Sequence, residues 1–322
     1  IGDMNFDKNI MVSIHCLVFN HEPYLRNCLD GFVMQKTNFK FEAIVHDDAS
    51  KDGSTAIIRE YAEKYPDIIK PIYQTENQWS KGNDILAKIM SAQIRGKYIA
   101  YCEGDDYWID PLKLQKQVDI LEEHPEIYMV HSDYDIVDEN NNKLIRPYHE
   151  EIKKRAKTGN VFRSILEKNH VLTCTTCFRR NDIFQKLYDE SKSRIDISMF
   201  LAASLLGPVW YLPEKTAVYR INLSSVGHTG SGQQWMAEEG AKAISYYKRA
   251  FLERKGYKFS AEDELETKKH VALAEVAIME CRHLDYKSLL YQYPELIKYC
   301  WRQLFQMYWN KFYTKVLRIF KR

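Results

Sequence analysis

The sequence predicts an α/β fold built on a mostly parallel central sheet, followed by a helical C-terminal extension. Two observations carry this prediction. Short β-branched and apolar runs alternate with segments of helical period through the first half of the chain, the pattern of βαβ units. Two acidic clusters, Asp47-Asp48 and Glu103-Gly104-Asp105-Asp106, each fall just past a predicted strand. Parallel strands deliver their C-terminal ends to one edge, where ligands bind.

The elements follow in order. Ile10 to Phe19 is the first strand. Pro23 to Met34 has helical spacing through Tyr24, Leu25, Cys28, Leu29 and Phe32. Phe41 to Val45 is a strand that stops at His46-Asp47-Asp48, and Thr55 to Tyr65 is a helix ended by Pro66. Ile68 to Tyr73 is a third strand; Asn83 to Ile94 is a helix closed by Gly96. Tyr98 to Cys102 is a fourth strand, and Pro111 to Glu123 is a helix with Pro near its start. Beyond it the rhythm changes. Ile127 to Val137 reads as a strand, Asp138 to Lys143 as a turn and Lys153 to Lys157 as a basic loop. Asn160 to Glu167 reads as a helix, Val171 to Arg179 as a Thr-rich strand, Leu187 to Phe200 as a helix containing Asp196, and Val209 to Tyr219 as a strand. Asn222 to Gln234, rich in Gly, Ser and His, reads as a mobile loop, and the pattern is helical from Trp235 onward. The expected organisation is a domain over 1–234, with halves 1–110 and 111–234, and an extension over 235–322.

Composition excludes several classes. The 322 residues carry 46 Lys+Arg against 44 Asp+Glu and are 45% hydrophobic. Disordered and collagen-like chains are excluded, and no bulk basicity points to nucleic acid. Seven scattered cysteines argue against a disulfide framework and for a reducing compartment. Cys174-Thr-Thr-Cys177 has metal-ligand spacing but no second pair, so buried thiols are expected there. Ile1 to Asn9 is polar, so no signal peptide is expected, and no stretch is long enough to span a bilayer. The expected location is the cytoplasm.

The charge balance is a cancellation. Residues 298–322 hold seven basic side chains and no acidic one, interleaved with aromatic residues. Without them the body has 39 Lys+Arg against 44 Asp+Glu, a formal charge of −5. Basic, aromatic, amphipathic helices lie in the headgroup layer of anionic membranes. Peripheral contact at the inner face of the plasma membrane is one reading of 298–322; packing on the body of the protein is the other.

The acidic clusters carry the chemistry. A lone acidic turn is usually solvated or caps a helix. Two clusters at neighbouring strand ends cost repulsion unless a cation compensates. Hard oxygen ligands suit Mg²⁺ or Mn²⁺, held by one or two carboxylates plus phosphate oxygens. The residues alone therefore suggest nucleoside-diphosphate chemistry with a divalent metal.

Several fragments, in order, resemble a known family. Met11 to Asn20 followed by His21-Glu22-Pro23-Tyr24-Leu25 resembles the opening strand and turn of the family 2 glycosyltransferases, enzymes of the GT-A fold. His46-Asp47-Asp48-Ala49-Ser50-Lys51-Asp52-Gly53-Ser54 resembles their DDGSxDGT segment, and Glu103-Gly104-Asp105-Asp106 their DGDD form of the metal-binding DxD motif. The resemblance implies an inverting, metal-dependent transfer from a nucleotide-diphospho-sugar, a UDP-sugar foremost, to a saccharide or lipid-linked acceptor in surface polysaccharide or glycan synthesis. It implies a nucleotide site of Phe19, Asn20, Glu22, Asp47, Asp48, Lys81 and Glu103, with the Phe19 ring on the base. It implies Asp105, with His228, as metal ligands for Mn²⁺ or Mg²⁺. Asp106, Trp108 and Arg220 are expected to face the acceptor, and Asp196 is expected to be the general base. Glu103 replaces the usual first Asp, Ile195 stands where an acid or Gly is common before the base, and Asn222 where His is common. Two alternatives stay open. A sugar-phosphate nucleotidyltransferase normally opens with a Gly-rich loop, and Phe19 to Tyr24 contains no Gly. A catalytically inactive sugar-nucleotide-binding protein of the same fold is the other.

Overall fold

The structure is a computed structural model that describes residues 7, 9–81, 83–222 and 230–255. The chain divides into two compact units, Ile1–Ser224 and Ser225–Arg322. The first holds an eight-stranded sheet. In chain order its elements are β1 (Val12–Val18), α1 (Glu22–Val33), β2 (Phe41–Asp47), α2 (Ser54–Lys64), β3 (Ile69–Tyr73), α3 (Asn83–Gln93), β4 (Tyr98–Tyr101), β5 (Tyr107–Trp108), α4 (Lys113–Glu123), β6 (Met129–Val137), α5 (Pro147–Lys153), α6 (Phe162–Glu167), β7 (Cys177–Arg179), α7 (Asp182–Glu190), α8 (Asp196–Leu206) and β8 (Val209–Arg220). In the second unit, α9 (Gly230–Arg254) is the described element.

The strand order is β3-β2-β1-β4-β7-β6-β8-β5. β3, β2, β1 and β4 pair in parallel, as do β6 and β8. β7 runs antiparallel to both β4 and β6, and β5 is antiparallel to β8. Every residue of β2 is buried, as expected of a parallel strand covered on both faces. Leu25, Cys28, Leu29 and Phe32 of α1 are spaced as one helical stripe, and all are buried in the main core with Ile57, Ile58 and Tyr61 of α2. Pro23 in the first turn of α1 loses no intrahelical bond there.

This topology assembles the site. Val18 at the end of β1 is in register with Asp47 at the end of β2. The Asp48 amide donates to Val18 O at 2.9 Å. On the other side of β1, the Cys102 and Gly104 amides donate to His15 O and Leu17 O at 3.1 and 3.0 Å. The two acidic segments therefore flank the turn after β1, at the place where the strand order reverses.

The opposite end of the sheet is tied by a buried charge. Glu42 of β2 is fully buried, accepts a bond from Ser13 Oγ at 2.7 Å and pairs with the Arg95 guanidinium. Arg95→Ala is expected to cost roughly 3 kcal/mol of unfolding free energy, because it strands a buried carboxylate. The double variant Arg95→Ala/Glu42→Gln should recover part of that loss in chemical denaturation. A single variant with wild-type stability would show that the pair contributes nothing.

Several elements depart from the sequence expectation. The Val171–Arg179 segment is not one strand. It holds a 3-10 turn (Thr173–Thr175) and then the short β7. The Thr175 and Thr176 hydroxyls donate to Leu172 O and Thr173 O at 2.7 Å, and such local bonds compete with a sheet ladder. The expected helix Leu187–Phe200 is two helices. Ser191 Oγ donates to Tyr188 O at 2.7 Å and Lys192 adopts φ 53°, so the chain turns before α8 begins at Asp196. α5 occupies the segment leading into the expected basic loop, and β5 follows the second acidic cluster; neither was expected. Gly230 to Gln234 belongs to α9 rather than to a loop. Residues 223–229 of that expected loop, and the tail 298–322, lie outside the described residues. Among the described residues no helix is long and apolar enough to cross a membrane.

Candidate active site

The turn after β1 forms one wall of an open cleft of about 480 Å³, lined by Phe19, Ala49, Ser50, Lys51, Gln74, Thr75, Glu76 and Asn77. Phe19 is 42% exposed. A large apolar ring left in solvent at a cleft mouth suits a planar ligand. Asn20, at φ 56°, bends the chain here; its side-chain oxygen accepts the Lys51 amide at 2.8 Å and its own amide donates to Ser50 Oγ at 3.0 Å. Glu22 accepts the Gly53 amide at 2.7 Å. The side chains of Asn20 and Glu22 thus staple the two loops together.

Asp47 and Asp48 are both buried, and both are engaged by the chain itself. Asp47 accepts the Ser50 amide at 3.0 Å and the Thr55 hydroxyl. Asp48 accepts the amides of Gln78 and Trp79 at 2.7 and 3.1 Å, one on each oxygen. That fixes the segment after β3 as the far wall of the cleft. An ionised carboxylate has about four acceptor positions, so each oxygen of Asp48 retains capacity for a ligand N–H. Lys81 is paired with the exposed Glu76 on the same segment.

The second cluster makes an acidic centre. Asp105 is half-buried; its Oδ2 lies 3.4 Å from the Asn222 amide nitrogen and 3.9 Å from His21 Nε2. Glu103 reaches solvent, yet desolvation by the surrounding protein and then the charges of Asp196, Asp105 and Asp106 raise its carboxyl well above the usual range. Asp196 is exposed, accepts a hydrogen bond from the Thr173 hydroxyl and begins α8. Its carboxyl is raised by the surrounding protein, an effect opposed by the Thr173 hydroxyl and its own amide. The fold therefore brings Asp196 within electrostatic reach of Glu103. Gly104 permits this packing: a Cβ there would stand 2.7 Å from His21 Nδ1 and 3.0 Å from Val18 Cγ2.

Three expectations about the acceptor side are corrected. Trp108 is 2% exposed, packs edge-on to Phe32 at 5.0 Å and donates from Nε1 to Cys174 O at 2.8 Å. It is a core residue and cannot form a wall for a sugar ring. Arg220 is equally buried. Its amide donates to Asp106 Oδ1 at 2.8 Å, and its guanidinium donates to Asp105 O, Asp138 O and Asn141 Oδ1 at 2.9, 2.8 and 2.7 Å. The guanidinium also sits 4.5 Å from the Tyr24 ring centre and 5.7 Å from that of Tyr107. Arg220 holds the acidic loop from behind rather than meeting a ligand. Asp106 is likewise turned inward, where burial and then the charge of Asp105 hold its carboxyl well above the usual range. The structure gives it a positioning place: it anchors β8. His228 lies outside the described residues.

Sequence reasoning missed His21 and Thr173 as site residues. His21 Nδ1 is buried without a hydrogen-bond partner, and its Nε2 faces Asp105. Its place directly after Asn20, at the end of β1, was the available signal. Thr173 had none, because its partner Asp196 is 23 residues away.

The donor set fits a divalent cation. Among the described residues, no three His, Cys, Asp or Glu side chains already converge as a cage. Mg²⁺ and Mn²⁺ are commonly held by only one or two carboxylates plus phosphate oxygens and water. The carboxylates that raise Glu103 need positive charge, and the Arg220 guanidinium behind Asp105 is spent on carbonyl oxygens and an amide oxygen. Asp105 would hold the ion, with Glu103 close by.

An α/β sheet with an open cleft at its topological switch point and an acidic centre beside it is the architecture of the GT-A fold. Residues 13–188 match the model of the family "Glycosyl transferase family 2", and the chain belongs to that family. It is 35% identical over 221 residues to an uncharacterized protein of Mycobacterium tuberculosis, an alignment covering 68% of this chain and 61% of that relative. The chain thus spans less than two thirds of that relative's length. An uncharacterized glycosyltransferase of Nostoc is 28% identical over 258 residues, covering 76% of this chain and 77% of the relative. Among solved structures, Staphylococcus aureus TarS 1-349 in complex with UDP-GlcNAc superimposes with a TM-score of 0.53 at 17% identity, covering 82% of this chain and 81% of that one. That likeness is one of fold, and the fold is the one the sequence leads one to expect.

Proposed function

We propose that the protein transfers a sugar from a nucleotide-diphospho-sugar, with a UDP-sugar as the leading donor, to a hydroxyl of a saccharide or lipid-linked acceptor, inverting the anomeric centre. The observation that carries this reading is the shared acidic centre: Glu103 and Asp105, just past a parallel strand beside the one that ends at the Phe19 cleft, with Asp196 within electrostatic reach of Glu103. The fold likeness to a protein solved with UDP-GlcNAc supports the donor class.

In this scheme the base lies against Phe19, with Asp48 as acceptor for a base N–H. The diphosphate then extends toward Asp105. A divalent ion, when bound, would supply positive charge to the departing diphosphate. Asp196, at the first turn of α8, takes the proton of the acceptor hydroxyl. The acceptor oxygen bonds to the anomeric carbon as the bond to the diphosphate oxygen breaks, so one displacement yields the glycoside and the nucleoside diphosphate. A carboxyl raised by its surroundings is better matched to this proton transfer than an ordinary one. Thr173 orients the carboxylate through its hydroxyl.

Thermal-shift measurements with nucleoside diphosphates test the reading directly. UDP at millimolar concentration should raise the melting temperature with Mn²⁺ present, and less or not at all with chelator. Ligand at about 100 times its Kd adds about 2.7 kcal/mol of stability. No response to any nucleoside diphosphate, with or without metal, would overturn the transferase reading.

A further inference from the structure

We propose that Tyr148, His149 and Tyr219 form a contiguous aromatic subsite for a neutral saccharide acceptor, reaching from the acidic centre out onto α5; the proposal rests on the transferase reading above. Three observations carry it. The first is continuity with the site. Tyr219, near the end of β8, has its hydroxyl pushed up by burial and then by the charges of Asp106, Asp105 and Asp196, so its ring lies within their electrostatic reach. Its ring centre lies 5.9 Å from that of His149, which in turn lies 5.5 Å from that of Tyr148, edge to face. The strip therefore begins at the acidic loop and ends on the surface.

The second is exposure at the outer end. Tyr148 is 54% exposed, and Ile145, three residues before it, is 81% exposed. Such an exposed apolar surface is the kind that recognises a ligand. The C–H faces of a pyranose ring pack on aromatic faces, while its hydroxyls stay in water or meet polar groups at the ring edge.

The third is rigidity. Tyr134 Oη and His149 Nδ1 are 3.0 Å apart, which fixes the imidazole between the two tyrosines. Lys168 Nζ lies 5.1 Å from the Tyr148 ring centre while it bonds Glu151 at 2.7 Å. These contacts hold the rings in place before any ligand arrives, which lowers the entropy cost of binding.

An array of immobilised neutral hexose and N-acetylhexosamine oligosaccharides, probed with the full chain, tests the proposal. The wild type should bind at least one family of glycans. Tyr148→Ala should weaken that binding about tenfold, which corresponds to 1.4 kcal/mol, and Tyr148→Phe should keep it. Ile183→Ala, at an exposed apolar position of α7, should be indistinguishable from wild type. UDP-induced thermal shift is measured on the same samples and should be equal in all of them. Binding unchanged in Tyr148→Ala, or no glycan held by the wild type, overturns the subsite while an intact UDP response leaves the transferase reading standing. A missing UDP response in the wild type instead removes the reading on which the subsite rests.

Discussion

Replacing Asp196 with Asn is expected to lower the transfer rate by roughly 10²–10⁴-fold, the usual contribution of a positioned general base, with nucleotide binding retained. The amide has nearly the shape of the carboxylate and can still accept the Thr173 hydroxyl, so the start of α8 should be undisturbed. What it cannot do is take a proton. The substitution also removes a negative charge near Glu103, so the Glu103 carboxyl should move back toward the ordinary range. Initial rates of transfer and the thermal shift with UDP and Mn²⁺ separate the outcomes. A wild-type rate would place the base elsewhere. Loss of the UDP response together with the rate would mean that Asp196 holds the donor.

The second large effect is structural. Arg220→Ala should destabilise the protein by roughly 3–5 kcal/mol, because it empties a buried guanidinium site, removes the side-chain donor of the half-buried Asp105 and Asp138 carbonyls and takes away the charge beside the buried Asp106. For a unit of this size that is a fall in melting temperature on the order of 10 °C. Arg220→Lys should recover only part of the loss, since one ammonium cannot reproduce the fork that bonds three separated oxygens. Metal-dependent UDP binding should weaken in both variants, as Asp105 is the other end of the same loop. An Arg220→Ala protein that melts like the wild type would show that the contacts seen behind the acidic loop contribute no net stability.

Much of the architecture was legible in the chain itself. The strand-helix alternation from Val12 to Glu123 is local and strongly periodic, and the observed elements agree with it to within a few residues. The acidic clusters were legible for the same reason: each directly follows its own strand. Legibility declined after Val137, where local chemistry and period disagree. The Thr173–Thr176 stretch has strand composition, yet its hydroxyls bond the backbone nearby and make a turn. The turn after α7 depends on Ser191 and a left-handed Lys192, which no apolar period records.

Within the site the boundary is sharper. The sequence alone determined which residue types stand at the ends of β1, β2 and β4, and therefore that carboxylates and an aromatic ring share one edge of the sheet. Tertiary structure decided which of them face a ligand. Glu103 and Phe19 are exposed, whereas Asp106 and Trp108, a few residues from Glu103, are buried. The difference comes from partners distant in the chain. Arg220 meets Asp106 across 114 positions, and Cys174 meets Trp108 across 66. A buried polar group is tolerated only where a partner satisfies it. Whether such a partner arrives depends on how β8 and the 3-10 turn pack against the acidic loop, and local sequence does not encode that encounter.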